Sequence, residues 1–460
     1  MVGADIAPSG LSGISMPGSH SQAGQPAQNG EDRMSGIERT ATQESAYSTP
    51  AGRQIRDRIA QLVPSIRANA AEGERLGCLP LSTLNALADA GAFRLSVPIE
   101  YGGYAFGARD LVEIVTEIAR GDGAAAWITM IGSGFARVML TFPDAAVADV
   151  YSHVPEWKGP VVASASLFSE KIQRARKVDG GYIVEAGGKW GFGSGCKHAA
   201  FVVVGAQVGD DRGMVLLERG QYEIVDDWHV MGLSGSSSNS ITVSSDVFVP
   251  EHRYANLADM PVNLDKLRHR FSGTGYKLDG LGLMLIVAME TMAITLGMAR
   301  GAFECFVQQC EKKKPFNLPY ETLAATPSIQ VVAGKTRAMI NAAEALIFGR
   351  ADYIDRKALA GEPFSPAEEA EIMMDFVHAG NVCGSAIDMI QIALGSFTVS
   401  LANPIQRYAR DVRVALTHGS TRLDPAAEIS GRLLMGFAPV GGFAAAVPGV
   451  EKAAQGVRAA

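Results

Sequence analysis

Three polar segments of the sequence carry the side chains most suited to chemistry. The first, residues 188–199, reads GKWGFGSGCKHA, and the second, residues 227–238, reads DWHVMGLSGSSS. The third, residues 403–413, reads NPIQRYARDVR and runs on to the triplet His418-Gly419-Ser420. Histidine titrates near pH ~6.5, so its imidazole can take a proton from a phenol, an indole or an amine-like group near neutrality. The segments therefore hold the first candidates for a proton-transfer site.

Three patterns in the sequence resemble known binding motifs but do not match them. Gly334-Lys335-Thr336 ends like a phosphate-binding loop, but Ile329 stands where that loop needs its first glycine. The alternating glycines of residues 191–195 lack the last glycine of a dinucleotide fingerprint. Cys305 and Cys310 are five residues apart on a predicted helix and point in different directions, which favours buried thiols over metal ligands. We therefore expect neither a nucleotide loop nor a metal site.

Length and composition bound the class of protein. At 460 residues the chain exceeds one ordinary core, which predicts two or three domains, or a mostly helical fold with an embedded module. With 47% hydrophobic and 19% charged residues it is globular. Its net charge of -7 argues against a nucleic-acid partner. Its five cysteines are scattered and form no CxxC pair, which predicts no disulfide framework and favours a reducing cytoplasm.

The two ends of the chain differ in composition from its middle. Residues 1–50 are rich in small and polar residues, so we expect a disordered tail without a secretory signal, and Met34 is an alternative initiator. Residues 441–460 are assigned to a C-terminal tail. The most membrane-like stretch, residues 281–299, is interrupted by Glu290 and by two threonines. It is expected to be a buried helix, and no membrane partner is predicted.

Hydrophobic periodicity divides the middle of the chain into three regions. Residues 51–160 show apolar positions at helical spacing, such as Ile55, Ile59 and Ile66. Residues 161–272 show short β-type runs separated by turns. Helical spacing returns over residues 273–440, including a helix from Gly280 to near Lys314 that Pro315 should end. The pattern predicts an α+β, mainly α chain, with an N-terminal helical domain, a central antiparallel β-barrel or sandwich and a C-terminal helical domain.

In their order and separations, the three polar segments resemble the acyl-CoA dehydrogenase superfamily over about residues 50–440. Within that superfamily the chain is similar to the flavin-dependent monooxygenase branch. The resemblance implies a helical domain, an antiparallel β-barrel and a C-terminal four-helix bundle, in agreement with the order of the three regions. It also implies that the chain assembles as a homotetramer.

The resemblance assigns a role to His418. Dehydrogenases of the common type carry Glu-Gly-Thr after their Arg-Asp-Ala-Arg helix, and the glutamate removes a proton from the thioester substrate. Here the matching triplet begins with His418, which implies a base, or a hydrogen-bond partner of flavin-bound oxygen. A structural histidine at a helix end is the alternative. Some members place the glutamate on the long helix, where Glu290 is the nearest acid but about three residues away.

The first segment is expected to form the flavin bed. The dehydrogenases use Trp-x-Thr there, but Trp190-Gly191-Phe192 lacks the hydroxyl, so Ser194 is the expected partner of the flavin N5 atom. Trp190, Phe192 and Gly193 are expected to line the cofactor, with ordinary core packing as the alternative for the two rings. Ser164 and Ser166 are candidates for the pyrimidine edge of the flavin, or plain strand serines.

Two departures from the branch concern the substrate and the cofactor. Phenol hydroxylases commonly have a histidine eight residues after the helix tryptophan, but the residue eight positions after Trp127 is Phe135. Both are candidate substrate-binding residues, and Phe135 favours an apolar aromatic substrate unless it is core packing. The basic run Lys312–Lys314 replaces the family's Arg-x-x-Phe-Gly turn. The choice between FMN and FAD therefore stays open.

The preferred hypothesis is the oxygenase component of a two-component flavin-dependent monooxygenase. A separate flavin reductase would supply reduced flavin, with O2 as cosubstrate, and a small apolar aromatic molecule would be oxygenated. The alternative is an acyl-CoA dehydrogenase-like FAD oxidoreductase acting on an acyl thioester.

Overall fold

The computed structural model describes residues 45–167 and 173–437. Most of the predicted N-terminal tail, and the whole C-terminal tail of residues 441–460, lie outside these ranges. The helical, strand-rich and helical regions follow one another in the predicted order.

The N-terminal region contains five helices. They are α1 (Pro50–Leu76), α2 (Leu81–Ala90), α3 (Ala108–Gly121), α4 (Gly123–Met139) and α5 (Asp144–Tyr151). Helix α1 begins where the Thr49 hydroxyl accepts the Gly52 N–H at 2.9 Å, and it buries the predicted Ile55, Ile59 and Ile66. Helix α4 begins at Asp122, whose carboxylate accepts the N–H groups of the first turn. Nearly all of α4 is buried, so it forms the centre of this region.

The described residues of the central region form ten short strands in two sheets. The strands are β1 (Val162–Ala165), β2 (Gln173–Val178), β3 (Gly181–Val184), β4 (Lys189–Trp190), β5 (Phe201–Val208), β6 (Asp211–Glu218), β7 (Glu223–Ile224), β8 (Ile241–Thr242), β9 (Val247–Pro250) and β10 (Tyr254–Asn256). The larger sheet has the order β10-β6-β5-β2-β3-β9, with β1 also beside β5, and the smaller sheet has the order β4-β8-β7.

The prediction of an entirely antiparallel sheet is wrong for β1 and β2. Both pair in parallel with β5, β1 along residues 201–204 and β2 along residues 206–208. They follow one another along a single edge of β5 in the same direction, and other strands separate each of them from β5 in the sequence. The remaining pairs, including β5 with β6, are antiparallel.

Strand β5 separates two hydrophobic cores. Phe201 and Val203 face the core shared with the helices, whereas Val202, Val204 and Ala206 face a core enclosed by the two sheets. Burial on both faces explains why this strand reads as a continuous apolar run instead of alternating with polar residues.

The chain then returns to helices. They are α6 (Met260–Lys266), α7 (Gly280–Lys312), α8 (Pro327–Ala360), α9 (Pro366–Leu394), α10 (Pro404–Leu416) and α11 (Leu423–Leu434). Helix α7 begins where the Asp279 carboxylate accepts the Gly282 N–H at 2.8 Å, and it ends three residues before Pro315, close to the predicted end. The matched Gly334 lies inside α8, as expected of a chance likeness to a phosphate loop.

Helix α7 is the core of the fold. Among the described residues it alone is long and apolar enough to cross a membrane, and 83% of its most apolar window is buried within the protein. It packs on α3, α4, α8, α9 and α10. At Gly297 a Cβ atom would lie 2.2 Å from the Thr116 carbonyl oxygen, so α3 and α7 approach closely because glycine stands there.

Candidate functional site

Two of the predicted site residues, Trp127 and Ser194, are joined by a hydrogen bond. The indole Nε1 of Trp127 donates to the Ser194 hydroxyl at 3.3 Å. The Ser194 hydroxyl also lies 2.6 Å from that of Ser238, which in turn lies 2.8 Å from that of Ser236. All four side chains are buried. A hydroxyl has one donor and two acceptor sites, so Ser194 keeps one site for a further partner.

The backbone joins the first polar segment to the second. Gly193 N–H donates to the Asn239 carbonyl at 2.9 Å, and Gly195 N–H donates to the Ser236 carbonyl at 3.0 Å. A Cβ atom on Gly193 would lie 2.7 Å from the Asn239 oxygen, so this approach requires glycine. The two loops therefore hold Ser194 in one position.

The third segment reaches the same place through Asp411. This buried carboxylate on α10 accepts the Leu233 backbone N–H at 2.6 Å. Burial raises the pKa of Asp411 to about 7, and the neighbouring carboxyl of Asp122 acts in the same direction. This hydrogen bond connects helix α10 to the second polar segment, residues 227–238. His418 follows two residues after the helix ends.

His418 lies beside Trp127. The two rings meet nearly edge to face, with centroids 5.5 Å apart and an interplanar angle of 69°. The backbone fixes the turn, since His418 N–H donates to the Ala415 carbonyl and Thr421 N–H donates to the His418 carbonyl. Although the residue is exposed to solvent, loss of part of its hydration lowers the pKa of His418 below the usual 6.5. The imidazole is therefore mostly neutral at pH 7 and able to accept a proton.

Backbone strain is concentrated at this site. Six described residues other than glycine have positive φ, and four of them lie in the site: Ser166, Phe192, Leu233 and Ser237. Each such conformation costs on the order of 1 kcal/mol or more and persists only where the surroundings enforce it. Strain of this kind is typical of ligand-binding loops.

The two aromatic residues of the first segment occupy different environments. Phe192 is 74% exposed and meets Trp228 edge to face, with centroids 6.1 Å apart. Trp190 has no exposed surface, and its Nε1 donates to the Gly205 carbonyl at 2.8 Å inside the sheet core. Phe192 is therefore free to contact a ligand. The position of Trp190 matches the core-packing alternative, and direct contact with a cofactor is not supported for it.

The serines near β1 also differ. Ser166 Oγ donates to the Gly191 carbonyl at 2.9 Å, which supports the strained turn that precedes Phe192. Ser164 is buried on β1 and pairs with Val203, on the face of the sheet that meets the helices. Ser164 therefore lies on the same side of the sheet as α4, which packs on β1.

Phe135 lies two turns after Trp127 on α4, on the same face of the helix. It is half-buried against the helical core, so both predicted roles, substrate contact and core packing, stay predictions.

Glu290, the acid nearest to the alternative base position, is not exposed to a substrate. It is fully buried on α7 and faces Arg137 at 3.6 Å.

The sequence interpretation missed three parts of the site. The hydroxyls of Ser236 and Ser238 extend the hydrogen-bond chain from Ser194, and Trp228 supports the ring of Phe192. The signal was the serine run of the second segment, to which no role was assigned. Ser237 adds a buried hydroxyl that has no hydrogen-bond partner within the described residues.

These residues fit a flat, partly polar ligand such as a flavin. An exposed aromatic ring, a row of hydroxyls and the open bonding site on Ser194 lie on the two loops next to the paired strands β4 and β8. Residues 45–167 and 173–437, which the structure describes, contain no cluster of three or more side chains able to hold a metal ion.

Comparison with known proteins identifies the family. The model for the acyl-CoA dehydrogenase N-terminal domain matches residues 49–151, and the model for the C-terminal domain matches residues 290–422. The oxygenase subunit HsaA of a flavin-dependent monooxygenase from Mycobacterium tuberculosis is 30% identical over 386 residues, which cover 83% of this chain and 95% of HsaA. The oxygenase component of an FADH(2)-dependent resorcinol hydroxylase from a Rhizobium species is 26% identical, covering 84% and 95%.

Solved structures show a similarity to the same kind of protein. The crystal structure of the HsaA monooxygenase from M. tuberculosis superposes with a TM-score of 0.73 at 28% identity, covering 85% of this chain and 99% of that one. The 3-HSA hydroxylase from a Rhodococcus species superposes with a TM-score of 0.74 at 26% identity, covering 84% and 98%. The chain belongs to the acyl-CoA dehydrogenase superfamily. Within it, the chain belongs to the branch of flavin-dependent monooxygenase oxygenase subunits.

Proposed function

We propose that this protein is the oxygenase component of a two-component flavin-dependent monooxygenase acting on an aromatic substrate. The observation that carries the proposal is the neutral imidazole of His418 beside the Trp127–Ser194 hydrogen bond. Relatives that align over almost their whole length are named oxygenase subunits and hydroxylases. Because such subunits work with a reductase, the proposal includes a separate flavin reductase as partner.

Reduced flavin, bound as FMN or FAD, supplies the electrons that activate O2. Phe192 would cover the ring system, since it is the exposed aromatic residue of the strained loop. Ser194 would accept a hydrogen bond from the flavin N5–H with its remaining site, while its own proton points to Ser238. Ser164 and Ser166 are proposed for the pyrimidine edge.

Ser194 is held so that it can keep that bond throughout a turnover. Trp127 donates to it from one side and Ser238 lies against it on the other, so the hydroxyl has little freedom to rotate. A fixed partner in a dry site slows loss of the N5 proton and the unproductive release of hydrogen peroxide. We therefore propose that coupling of flavin oxidation to product depends on Ser194.

His418 would act on the substrate. A neutral imidazole accepts the proton of a phenol or an indole N–H and so raises electron density on the ring to be oxygenated. Trp127 keeps His418 in place by edge-to-face contact. Phe135, two turns further along α4, is proposed as an apolar wall for the aromatic ring.

The acyl-thioester alternative finds less support. It needs a carboxylate open to the substrate, whereas Glu290 has no exposed surface and faces Arg137. The residue in the position of the family glutamate is His418.

An isotope experiment tests the proposal. The protein is supplied with FMN or FAD, a flavin reductase, NADH and ¹⁸O2, and is then screened against phenols, indoles and fused aromatics. We expect one ¹⁸O atom in the product of an accepted substrate. Reduction of bound FAD by an acyl-CoA without oxygen, and no labelled product, would support the dehydrogenase instead.

We also propose a homotetramer in the cytoplasm, without a membrane partner. Exposed apolar side chains near the end of α9, including Ile392, Val399 and Leu401, support an interface between copies. The five cysteines are free thiols, which suits a reducing compartment. Analytical ultracentrifugation tests the assembly, since a monomer at micromolar concentration would contradict it.

We also propose that the two sheets close into a β-barrel and that the C-terminal helices form a four-helix bundle. The core shared by the two sheets supports a closed barrel. The packing of α9 on α7, α8 and α10 supports a C-terminal four-helix bundle.

A further inference from the structure

Leu233 is the residue at which helix α10 meets the second polar segment. Its backbone N–H donates to the buried carboxylate of Asp411 at 2.6 Å. The two backbones are in close contact beside this bond, because a Cβ atom on Gly232 would lie 2.5 Å from the Arg410 carbonyl oxygen and 2.9 Å from the Asp411 nitrogen. Glycine at position 232 therefore allows the Asp411 side chain to reach Leu233.

The backbone of Leu233 has a conformation that its side chain disfavours. Its φ of 54° and ψ of 28° lie in the left-handed region, where the Cβ atom comes too close to the following carbonyl oxygen. Such a conformation persists only where the neighbouring groups enforce it. The Leu233 side chain is buried against the start of α4, since a Cβ atom on Gly123 would lie 3.3 Å from its Cδ2 atom. Leu233 is thus held by Asp411 through its N–H and by α4 through its side chain.

The carbonyl group of Leu233 is bonded to two parts of the candidate site. It accepts the Ser236 backbone N–H at 3.0 Å and the Trp228 Nε1–H at 3.3 Å. Ser236 is the first member of the hydroxyl chain that ends at Ser194. Trp228 meets the exposed ring of Phe192 edge to face. Because φ and ψ of Leu233 set the direction of its carbonyl group, a change of conformation there would displace both the hydroxyl chain and the aromatic pair.

A second buried carboxylate offers a comparison with Asp411. Asp355 of α8 accepts the backbone N–H groups of Ala108 and Arg109 at 2.7 and 2.8 Å. Burial raises the pKa of Asp355 to about 7, as it does for Asp411. Among the described residues, the hydrogen-bond partners of Asp355 belong to the first turn of α3 and not to the candidate site. Asp355 therefore resembles Asp411 in burial and bonding but differs in location.

We propose that Asp411 is a positioning residue for the flavin. By holding Leu233 in its left-handed conformation, Asp411 fixes the hydroxyl chain that ends at Ser194 and the aromatic pair that contains Phe192. Because Asp411 lies on the helix that precedes His418, the same hydrogen bond sets the proposed base relative to the loop that binds the flavin. This role rests on the proposed function, which places the flavin against Ser194 and Phe192.

Flavin binding to three variants tests this role. Reduced FMN and reduced FAD are titrated anaerobically into the wild type, Asp411→Ala, Asp411→Asn and Asp355→Ala, and the dissociation constants are compared. For the flavin that the wild type binds more tightly, Asp411→Ala should raise the dissociation constant at least tenfold, because the Leu233 N–H loses its acceptor. Asp411→Asn should stay within about threefold of the wild type, since its amide oxygen still accepts that N–H. Asp355→Ala, which also loses a buried carboxylate, should stay within about twofold.

Three results would overturn the positioning role. They are equal flavin affinities of Asp411→Ala and the wild type, an equally large loss of affinity in Asp355→Ala, and failure of Asp411→Asn to restore binding. If Asp411→Ala does not fold, Asp411→Glu decides. Its longer side chain keeps the charge but moves the carboxylate away from the Leu233 N–H, so it should also weaken flavin binding.

Because the readout is flavin binding, the positioning role and the oxygenase function can fail separately. A tenfold effect of Asp411→Ala without ¹⁸O incorporation by the wild type removes only the function. Incorporation of ¹⁸O together with unaltered flavin binding in Asp411→Ala removes only the positioning role. Failure of the wild type to bind either flavin would overturn both.

Discussion

The imidazole of His418 lies edge-on to the indole of Trp127, with centroids 5.5 Å apart, although one residue belongs to the N-terminal helical region and the other to the C-terminal one. Trp127 also donates its N–H to Ser194. One side chain thus orients both the proposed base and the proposed N5 partner.

Ser194→Ala should uncouple the enzyme. The variant removes the hydroxyl that Trp127 and Ser238 hold, so we expect reduced flavin to be oxidised with at least a fivefold lower yield of product and more hydrogen peroxide. Product and peroxide per flavin oxidised are the measurements. Ser152→Ala, at an exposed serine that bonds the Asp149 carbonyl, should leave the yield unchanged. Equal coupling in both variants would contradict the role of Ser194.

Trp127→Phe separates the two functions of the indole. The ring that contacts His418 is largely kept, but the N–H donor to Ser194 is lost. We expect a loss in unfolding free energy of about 1 kcal/mol, as for one net hydrogen bond. Coupling should fall as in Ser194→Ala, while the pH dependence set by His418 persists. A variant with full coupling would show that the indole N–H is not needed.

Gly193→Ala tests the approach of the two loops. The added methyl group would meet the Asn239 oxygen at 2.7 Å, so we expect destabilisation by about 1–3 kcal/mol and weaker flavin binding. Gly334→Ala is the matched control, because no atom lies within 4 Å of a Cβ atom there and α8 should gain up to about 1 kcal/mol. Denaturant unfolding of both variants gives the comparison. Equal and favourable effects would refute the required close approach.

The contribution of Asp411 to the stability of the protein should fall as the pH rises toward neutrality. Its folded pKa of about 7 exceeds the ordinary 3.8, so the folded state binds the proton more tightly than the unfolded state. That contribution is fully present below pH 3.8 and is lost as the pH rises from about 4 to about 7. Asp411→Asn, which can still accept the Leu233 N–H, should show a flatter dependence in this window. An unchanged slope would contradict the raised pKa.

Hydrophobic spacing was sufficient to predict the helices. The period of α1 predicted its buried isoleucines, and Pro315 predicted the end of α7 to within a few residues. Composition also located the strands, because short β-branched runs between turns identify them whatever their partners are. The grouping of the three polar segments came from resemblance to the superfamily, and the structure brings all three together around Trp127.

Partners distant in the sequence could not be predicted in the same way. Periodicity states that β1 is a strand but not that it lies parallel to β5, since pairing depends on the path of the chain. Likewise an indole beside glycines suits a ligand site as well as a core, and only the fold shows Trp190 bonded to the Gly205 carbonyl. The facing of Arg137 and Glu290 depends on the packing of α4 on α7.

The proposed role of His418 is tested most directly by a single turnover of wild type and His418→Ala with reduced flavin, ¹⁸O2 and an accepted phenol or indole. The wild type should give singly labelled product, with a yield that falls as the pH drops through a pKa below 6.5, because protonated imidazole cannot act as a base. His418→Ala should lose at least tenfold in yield and that pH dependence. Unlabelled product from the wild type would contradict the oxygenase function, and a variant with the same yield and pH profile would contradict the role of His418.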